Sequence, residues 1–131
     1  MKKVNAVVLA SHLNKTYETG DVRVEVLKDA NLKVEKAEFT VISGPSGSGK
    51  TTLLNIVSGI DKPTDGMIVV FGESLVDKNE EFLANFRCNN IGFVFQLYNL
   101  VSTLTAAENI AFPMEWTRKP ENRICLLYTS D

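Results

Sequence analysis

The sequence predicts an α/β fold in which antiparallel strands precede a sheet built around a glycine-rich loop. Three observations carry that prediction. The run Gly44-Pro45-Ser46-Gly47-Ser48-Gly49-Lys50-Thr51 matches the pattern G-x-x-x-x-G-K-[ST]. The apolar, β-branched run Phe39-Thr40-Val41-Ile42-Ser43 stands before it, and a run with Leu53, Leu54 and Val57 at helical spacing stands after it. Ahead of these, alternating stretches at residues 4–12 and 22–26 flank a turn-like segment at 16–21, as in an antiparallel hairpin.

The remaining elements follow in order. Residues 30–35 alternate again and predict a further strand, and 39–43 predicts a buried strand entering the loop. A helix is expected over 51–58. Asp61-Lys62-Pro63-Thr64-Asp65-Gly66 concentrates breakers and predicts a surface turn, followed by a strand at 67–72. Between 77 and 90 a polar run with Phe82, Leu83 and Phe86 on one face predicts an amphipathic helix. Ile91-Gly92-Phe93-Val94-Phe95 predicts a second buried strand, ending at Gln96 and a loop over 97–102. Thr105-Ala106-Ala107-Glu108 has the capping-box form, so a helix starts there and runs towards Pro113.

Strand, loop and helix in that order give the glycine-rich run a mechanical meaning. The first N–H groups of a helix have no intrahelical partner and converge on one small volume, where the aligned peptide dipoles add positive charge. Glycine lets the backbone wrap a phosphate without a side-chain clash. Gly44, Pro45, Ser46, Gly47, Ser48 and Gly49 would form the cradle, with Lys50, Thr51 and Thr52 opening the helix behind it. Lys50 would reach the β and γ phosphates, and the Thr51 hydroxyl would ligate a Mg²⁺ that bridges phosphate oxygens. The implied ligand is a nucleoside triphosphate with its metal.

Composition narrows the classes. The chain has 131 residues, 44% of them apolar, and a formal net charge of −2, so it is a single ordinary domain or part of one. Acidic and basic residues are interspersed, with no basic footprint for nucleic acid. The apolar stretch at 6–10 is shorter than a secretory signal core, and no run approaches a membrane span. Cys88 and Cys125 lack metal-ligand spacing, and the single His12 joins no cluster, so both cysteines are read as reduced bystanders. These features point to the cytoplasm.

Several motifs standing in one order resemble the nucleotide-binding domain of ATP-binding cassette (ABC) proteins. They are Gly44 to Thr51 continued by Thr52-Leu53-Leu54-Asn55, then Asp61-Lys62-Pro63-Thr64-Asp65-Gly66, then Ile91-Gly92-Phe93-Val94-Phe95-Gln96, then Leu104-Thr105-Ala106-Ala107-Glu108-Asn109-Ile110. The resemblance runs from residue 4 to about 115, and is strongest to the lipoprotein-release and macrolide-export branch. It implies a P-loop NTPase core with an N-terminal antiparallel β subdomain, and ATP and Mg²⁺ as cofactors. It also implies that Tyr17 stacks on adenine, where a flat ring covers the base at little conformational cost. Gln96 would be the Q-loop residue whose side-chain carbonyl approaches Mg²⁺ and the γ-phosphate, acting with Lys50 in catalysis. Residues 98–102 would face a transmembrane permease subunit, and a second nucleotide-binding domain would complete the site in the full-length protein. Such a protein sits on the inner face of the cytoplasmic membrane through its partner.

The sequence also departs from that family. Ala37-Glu38 stands where a glycine usually precedes the glutamate, which is tolerated unless φ is positive at Ala37. No run of four apolar residues is followed by Asp-Glu, no Leu-Ser-Gly-Gly-Gln signature is present, and His12 precedes the loop instead of following it. The expected organisation is therefore an incomplete domain at 1–115, the front half of a cassette that binds MgATP without turning it over, and a divergent tail at 116–131 read as non-native. Apolar surface should remain uncovered, with poor solubility or molten behaviour. Alternatives are the ATPase of a cell-division or envelope-remodelling complex, a non-catalytic nucleotide-binding module, and a P-loop kinase or GTPase. For a GTPase the only Asn-Lys, Asn14-Lys15, lies on the wrong side of the loop. The transported substrate is not written in this chain.

Overall fold

The computed structural model describes residues 5–117. Cys125 and nearly all of the expected tail at 116–131 lie outside the described residues. The chain divides into two units, one up to Leu83 and one from Ala84 onward.

The first unit is built on a four-stranded antiparallel sheet of order β2-β1-β3-β4. Strands β1 (Ala6–Thr19) and β2 (Val22–Glu35) form one hairpin of 14 residues a side, closed by Gly20-Asp21 with φ of 60° at Gly20. Glycine in the first central position suits the turn whose twist matches the flanking strands. β3 (Asp65–Val70) pairs with β1, and the two-residue turn Phe71-Gly72, both at positive φ, leads into the short β4 (Glu73–Ser74). Alternation along β1 and β3 sends Ala10, Leu13, Ile68 and Val70 inward, where Leu27, Ile56 and Leu75 meet them in the buried core.

The hairpin is longer than the sequence suggested because its strands are bulged. Register shifts fall between Ala10 and Leu13 and again around Lys15. A bulge breaks the period of two, so one strand reads as two stretches. His12 and Asp29 take positive φ at the irregularity, and their backbone is held by side chains. His12 N–H donates to Asn31 Oδ1, Asp29 N–H donates to Asn14 Oδ1, and Asn31 and Asn14 amides donate to the Asp29 and His12 carbonyls. The bulge presses on β3: a Cβ at Gly66, where φ is 99°, would lie 2.3 Å from the His12 carbonyl oxygen.

Helix α1 (Lys50–Val57) lies beside β1, β2 and β3. Its inward residue is Ile56, while Leu54 is exposed, so the helical phase differs from the expected face of Leu53, Leu54 and Val57. The turn at 61–64 is not a free surface turn. Thr64 N–H donates to the Asn14 carbonyl and its hydroxyl accepts from Thr16 N–H. Helix α2 (Glu80–Asn90) begins three residues into the expected range, where Asn79 Oδ1 caps it by accepting from Phe82 N–H at 2.8 Å. Leu83 and Phe86 are buried, whereas Phe82 lies at the surface under the Lys78 ammonium.

Two expected strands are absent. Residues 39–43 and 91–95 run outside any ladder among the described residues, and Phe39 is 91% exposed. Both runs have the composition of buried parallel strands, but a strand needs a neighbour to donate to and accept from, and no described segment supplies one. In the second unit Phe93 and Phe95 stack on one side of their segment with centroids 5.7 Å apart. Helix α3 (Ala106–Thr117) starts with the expected capping box: Thr105 N–H donates to Glu108 Oε2 and Glu108 N–H to Thr105 Oγ1. It then continues through Pro113 to Thr117, beyond the expected stop.

Ala37 does take positive φ, 63°, in the turn where Glu38 N–H returns to the Glu35 carbonyl. Left-handed backbone costs a non-glycine residue about 1 kcal/mol. Ala37→Gly is therefore expected to stabilise the chain by about 0.5 kcal/mol, and Gly66→Ala to destabilise it by more than about 1 kcal/mol. Urea midpoints moving in opposite directions check the pair, and coincident midpoints for both variants and the parent would contradict it.

Candidate phosphate-binding site

The loop between residues 43 and 50 turns tightly into α1. Ser48 N–H donates to the Pro45 carbonyl at 3.2 Å, closing the turn over Ser46 and Gly47. Gly49 then caps the helix with φ of 95° and no side-chain oxygen to offer. Its glycine is required twice, by that φ and by crowding. A Cβ there would stand 3.0 Å from Leu27 Cδ2 and 3.1 Å from the Val26 carbonyl oxygen, so the helix start is held directly against β2.

Since Gly49 supplies no cap and the first turn of α1 has no acidic residue, the N–H groups of Lys50, Thr51 and Thr52 face outward from the helix start without internal competitors. Lys50 folds back over the loop. Its ammonium donates to the Gly44 carbonyl at 2.6 Å, to the Pro45 carbonyl at 2.7 Å and to Ser48 Oγ at 3.3 Å. Gly44 is crowded by the same serine, since a Cβ there would lie 2.7 Å from Ser48 Oγ. Amides, one ammonium and the exposed Thr51, with no carboxylate in the run, form a donor set suited to a phosphate chain, and a hydroxyl oxygen is a fitting ligand for a hard divalent cation. No cluster of three or more His, Cys, Asp or Glu suited to hold a metal exists among the described residues, so a cation here would rely on the ligand's own oxygens.

Tyr17 stands in β1 and not in the turn. It pairs with Val24 on β2, and Val26, two residues further, borders Gly49 together with Leu27. Strand spacing of about 5 Å and a rise of about 7 Å per two residues put Tyr17 on the order of 10 Å from the loop. The first unit thus brings together Tyr17 and Gly44 to Thr52. Gln96 lies in the second unit, exposed, in a bend without regular structure.

Lys15 and Asp61 belong to this region, although the sequence marks Asp61 only as part of a turn motif and does not mark Lys15 as a site residue. Tyr17 Oη donates to Asp61 Oδ2 at 3.0 Å, and Lys15 Nζ donates to Asp61 Oδ1 at 2.9 Å and to the Lys62 carbonyl at 2.7 Å. The same ammonium lies over the Tyr17 ring, 4.9 Å from its centroid. The available signal was weak: a lysine two residues before the tyrosine, and a carboxylate within the breaker run.

In the second unit, Asn109 fixes the 97–104 segment to α3. Its Oδ1 accepts from Val101 N–H at 2.8 Å, while Nδ2 donates to the Val101, Leu104 and Thr105 carbonyls. Leu97, Tyr98 and Leu100 are thereby displayed at the surface.

Burial alone would raise the Asp61 carboxyl, but hydrogen bonds from Lys15, Tyr17 and the Lys62 amide, with the Lys15 charge, outweigh it and hold the group below its ordinary 3.8. A carboxyl that titrates lower when folded contributes stability above its unfolded value and loses it as pH falls through the folded one. The contribution of Asp61 is therefore expected to be intact at neutral pH and to vanish below 3.8. Denaturation midpoints in an acid series should fall more gently for Asp61→Asn than for the parent, and parallel curves would contradict the assignment.

Known proteins are similar to this chain in sequence and fold. A family model described as ABC transporter matches residues 27–129. The bacitracin export ATP-binding protein BceA of Halalkalibacterium halodurans is 47% identical over 115 residues, covering 88% of this chain and 46% of that protein. The macrolide export ATP-binding/permease protein MacB of Aggregatibacter actinomycetemcomitans is 39% identical over 117 residues, covering 89% of this chain and 18% of that one. Among solved structures, the post-hydrolysis dimer of the ATP-binding cassette MJ0796 bound to ADP and Pi, from Methanocaldococcus jannaschii, superposes with a TM-score of 0.80 at 41% identity, covering 84% of this chain and 47% of that one. This chain spans less than half the length of each of them.

Proposed function

Because the chain belongs to the ABC transporter family, we propose that it is the MgATP-binding front part of a subunit that couples ATP to export or release of a substrate at a membrane. The observation that carries this is the helix start at Lys50, where uncapped amides, a lysine ammonium and a threonine surround one position with no competing acid. Gly44, Pro45, Ser46, Gly47, Ser48 and Gly49 wrap the phosphates. The Lys50 ammonium exchanges the loop carbonyls for β- and γ-phosphate oxygens, and Thr52 adds a backbone donor. Tyr17 stacks on the base.

A bound Mg²⁺ would neutralise phosphate charge, and within the first unit the Thr51 hydroxyl would be the protein oxygen that holds it. The names of BceA and MacB support export as the process being driven. The surface at 98–102, held by Asn109 and carrying the exposed Tyr98, Leu100 and Val101, is the proposed seat of a transmembrane permease, which would keep the protein on the cytoplasmic face of the membrane. A second nucleotide-binding domain is proposed as the other partner of the complete protein.

Turnover is a separate matter. Hydrolysis needs a water-orienting carboxylate, a metal carboxylate and a donor across the dimer, and these 131 residues contain neither the apolar-run Asp-Glu nor the signature sequence. We therefore expect binding without measurable hydrolysis from this polypeptide. Calorimetric titration with MgATP should give a saturable isotherm, and Lys50→Ala should weaken it by about ten- to a hundredfold, the loss of charge-assisted hydrogen bonds. A heatless titration of folded protein, or an unchanged Lys50→Ala isotherm, contradicts the binding reading, and steady magnesium-dependent phosphate release contradicts the inert one.

A further inference from the structure

The cluster around Asp61 has no part in the phosphate chemistry, yet it holds the one ring that the binding reading assigns to the base. We propose that Lys15 and Asp61 are positioning residues that clamp Tyr17, closing one ring face and committing the other to a flat heteroaromatic base. The proposal rests on the reading of Tyr17 as the base-stacking residue.

The geometry locks the ring from two directions. Its hydroxyl donates to Asp61 Oδ2 at 3.0 Å, which fixes the far end. The Lys15 ammonium stands 4.9 Å from the centroid and closes one face by a cation–π contact. The clamp is itself anchored: Lys15 donates to Asp61 Oδ1 and to the Lys62 carbonyl, and the Lys62 N–H donates to the same Asp61 oxygen at 2.8 Å. The Lys15 side chain is only 13% exposed, so its ammonium is not a solvated surface charge free to swing away. Tyr17 nevertheless remains 40% exposed, which leaves a ring surface open for stacking.

A surface tyrosine without these contacts samples several rotamers and loses that freedom when a base settles on it. One already fixed does not, so the cluster raises affinity through preorganisation while touching no atom of the ligand. Such an effect must depend on the base and be indifferent to the phosphates. That separates it from a merely structural role, which would disturb the nearby loop and weaken both.

The test compares MgATP with magnesium tripolyphosphate, which has no base, by calorimetry on the full chain. Lys15→Met, Asp61→Ala and Tyr17→Phe are each expected to weaken MgATP by about 3- to 10-fold while tripolyphosphate binds as to the parent. Asp61→Ala should add nothing in a Tyr17→Ala background. Parental MgATP affinity in both Lys15→Met and Asp61→Ala overturns the clamp. Should either of them lose both ligands together, Tyr17→Phe, which removes a single oxygen, decides: a parental MgATP affinity for it overturns the proposal, and a selective loss sustains it. Parental MgATP affinity for Tyr17→Ala overturns the stacking reading, and the clamp with it.

Discussion

The missing side chain at Gly49 is the constraint on which the site depends. With no Cβ, the first turn of α1 can press against Val26 and Leu27 of β2, and the backbone can take the left-handed turn that aims the helix start outward. Any larger residue would push the helix off the sheet and re-aim the amides. The phosphate loop is therefore positioned by the antiparallel sheet and not merely tethered to it. Tyr17, one strand away from Val24, inherits its place from the same sheet.

What was legible in the sequence was what depends on neighbours in the chain. The glycine-rich run and the Thr105–Glu108 box rest on offsets of a few residues, and the structure closes the box as the residues predict. The hairpin was seen, but its length was not, because bulges at His12 and Asp29 hide the period of two. Residues 39–43 and 91–95 have a strand's composition, and composition cannot show whether a partner strand lies alongside. Helix α1 was right in extent and wrong in phase, since which side of so short a helix turns inward is decided by the sheet it meets. The turn at Ala37 was the reverse case. A small departure from pattern flagged the one backbone angle that alanine tolerates poorly.

The candidate site divides along the same line. Gly44 to Thr52 could be named in full because the motif is contiguous. The Lys15–Asp61–Tyr17 cluster could not, since the chain separates its members by the whole of β2 and α1 before the fold reunites them. Asn109 was likewise unremarkable in sequence, yet with one side-chain amide it satisfies both donors and acceptors of the segment before α3.

The pairing of β1 with β3 has a thermodynamic consequence of its own. Asn14 meets Asp65, so the intervening chain, β2, the phosphate loop and α1 together, forms one long closed loop whose ends must be drawn together. Closing such a loop costs entropy, and a ligand that orders its middle removes part of that cost in advance. Under the proposed reading of this loop, ligand binding and sheet closure become coupled equilibria: whatever fastens the loop should slow the parting of β1 from β3, and a chain with its sheet already zipped should receive the ligand at a smaller entropic penalty.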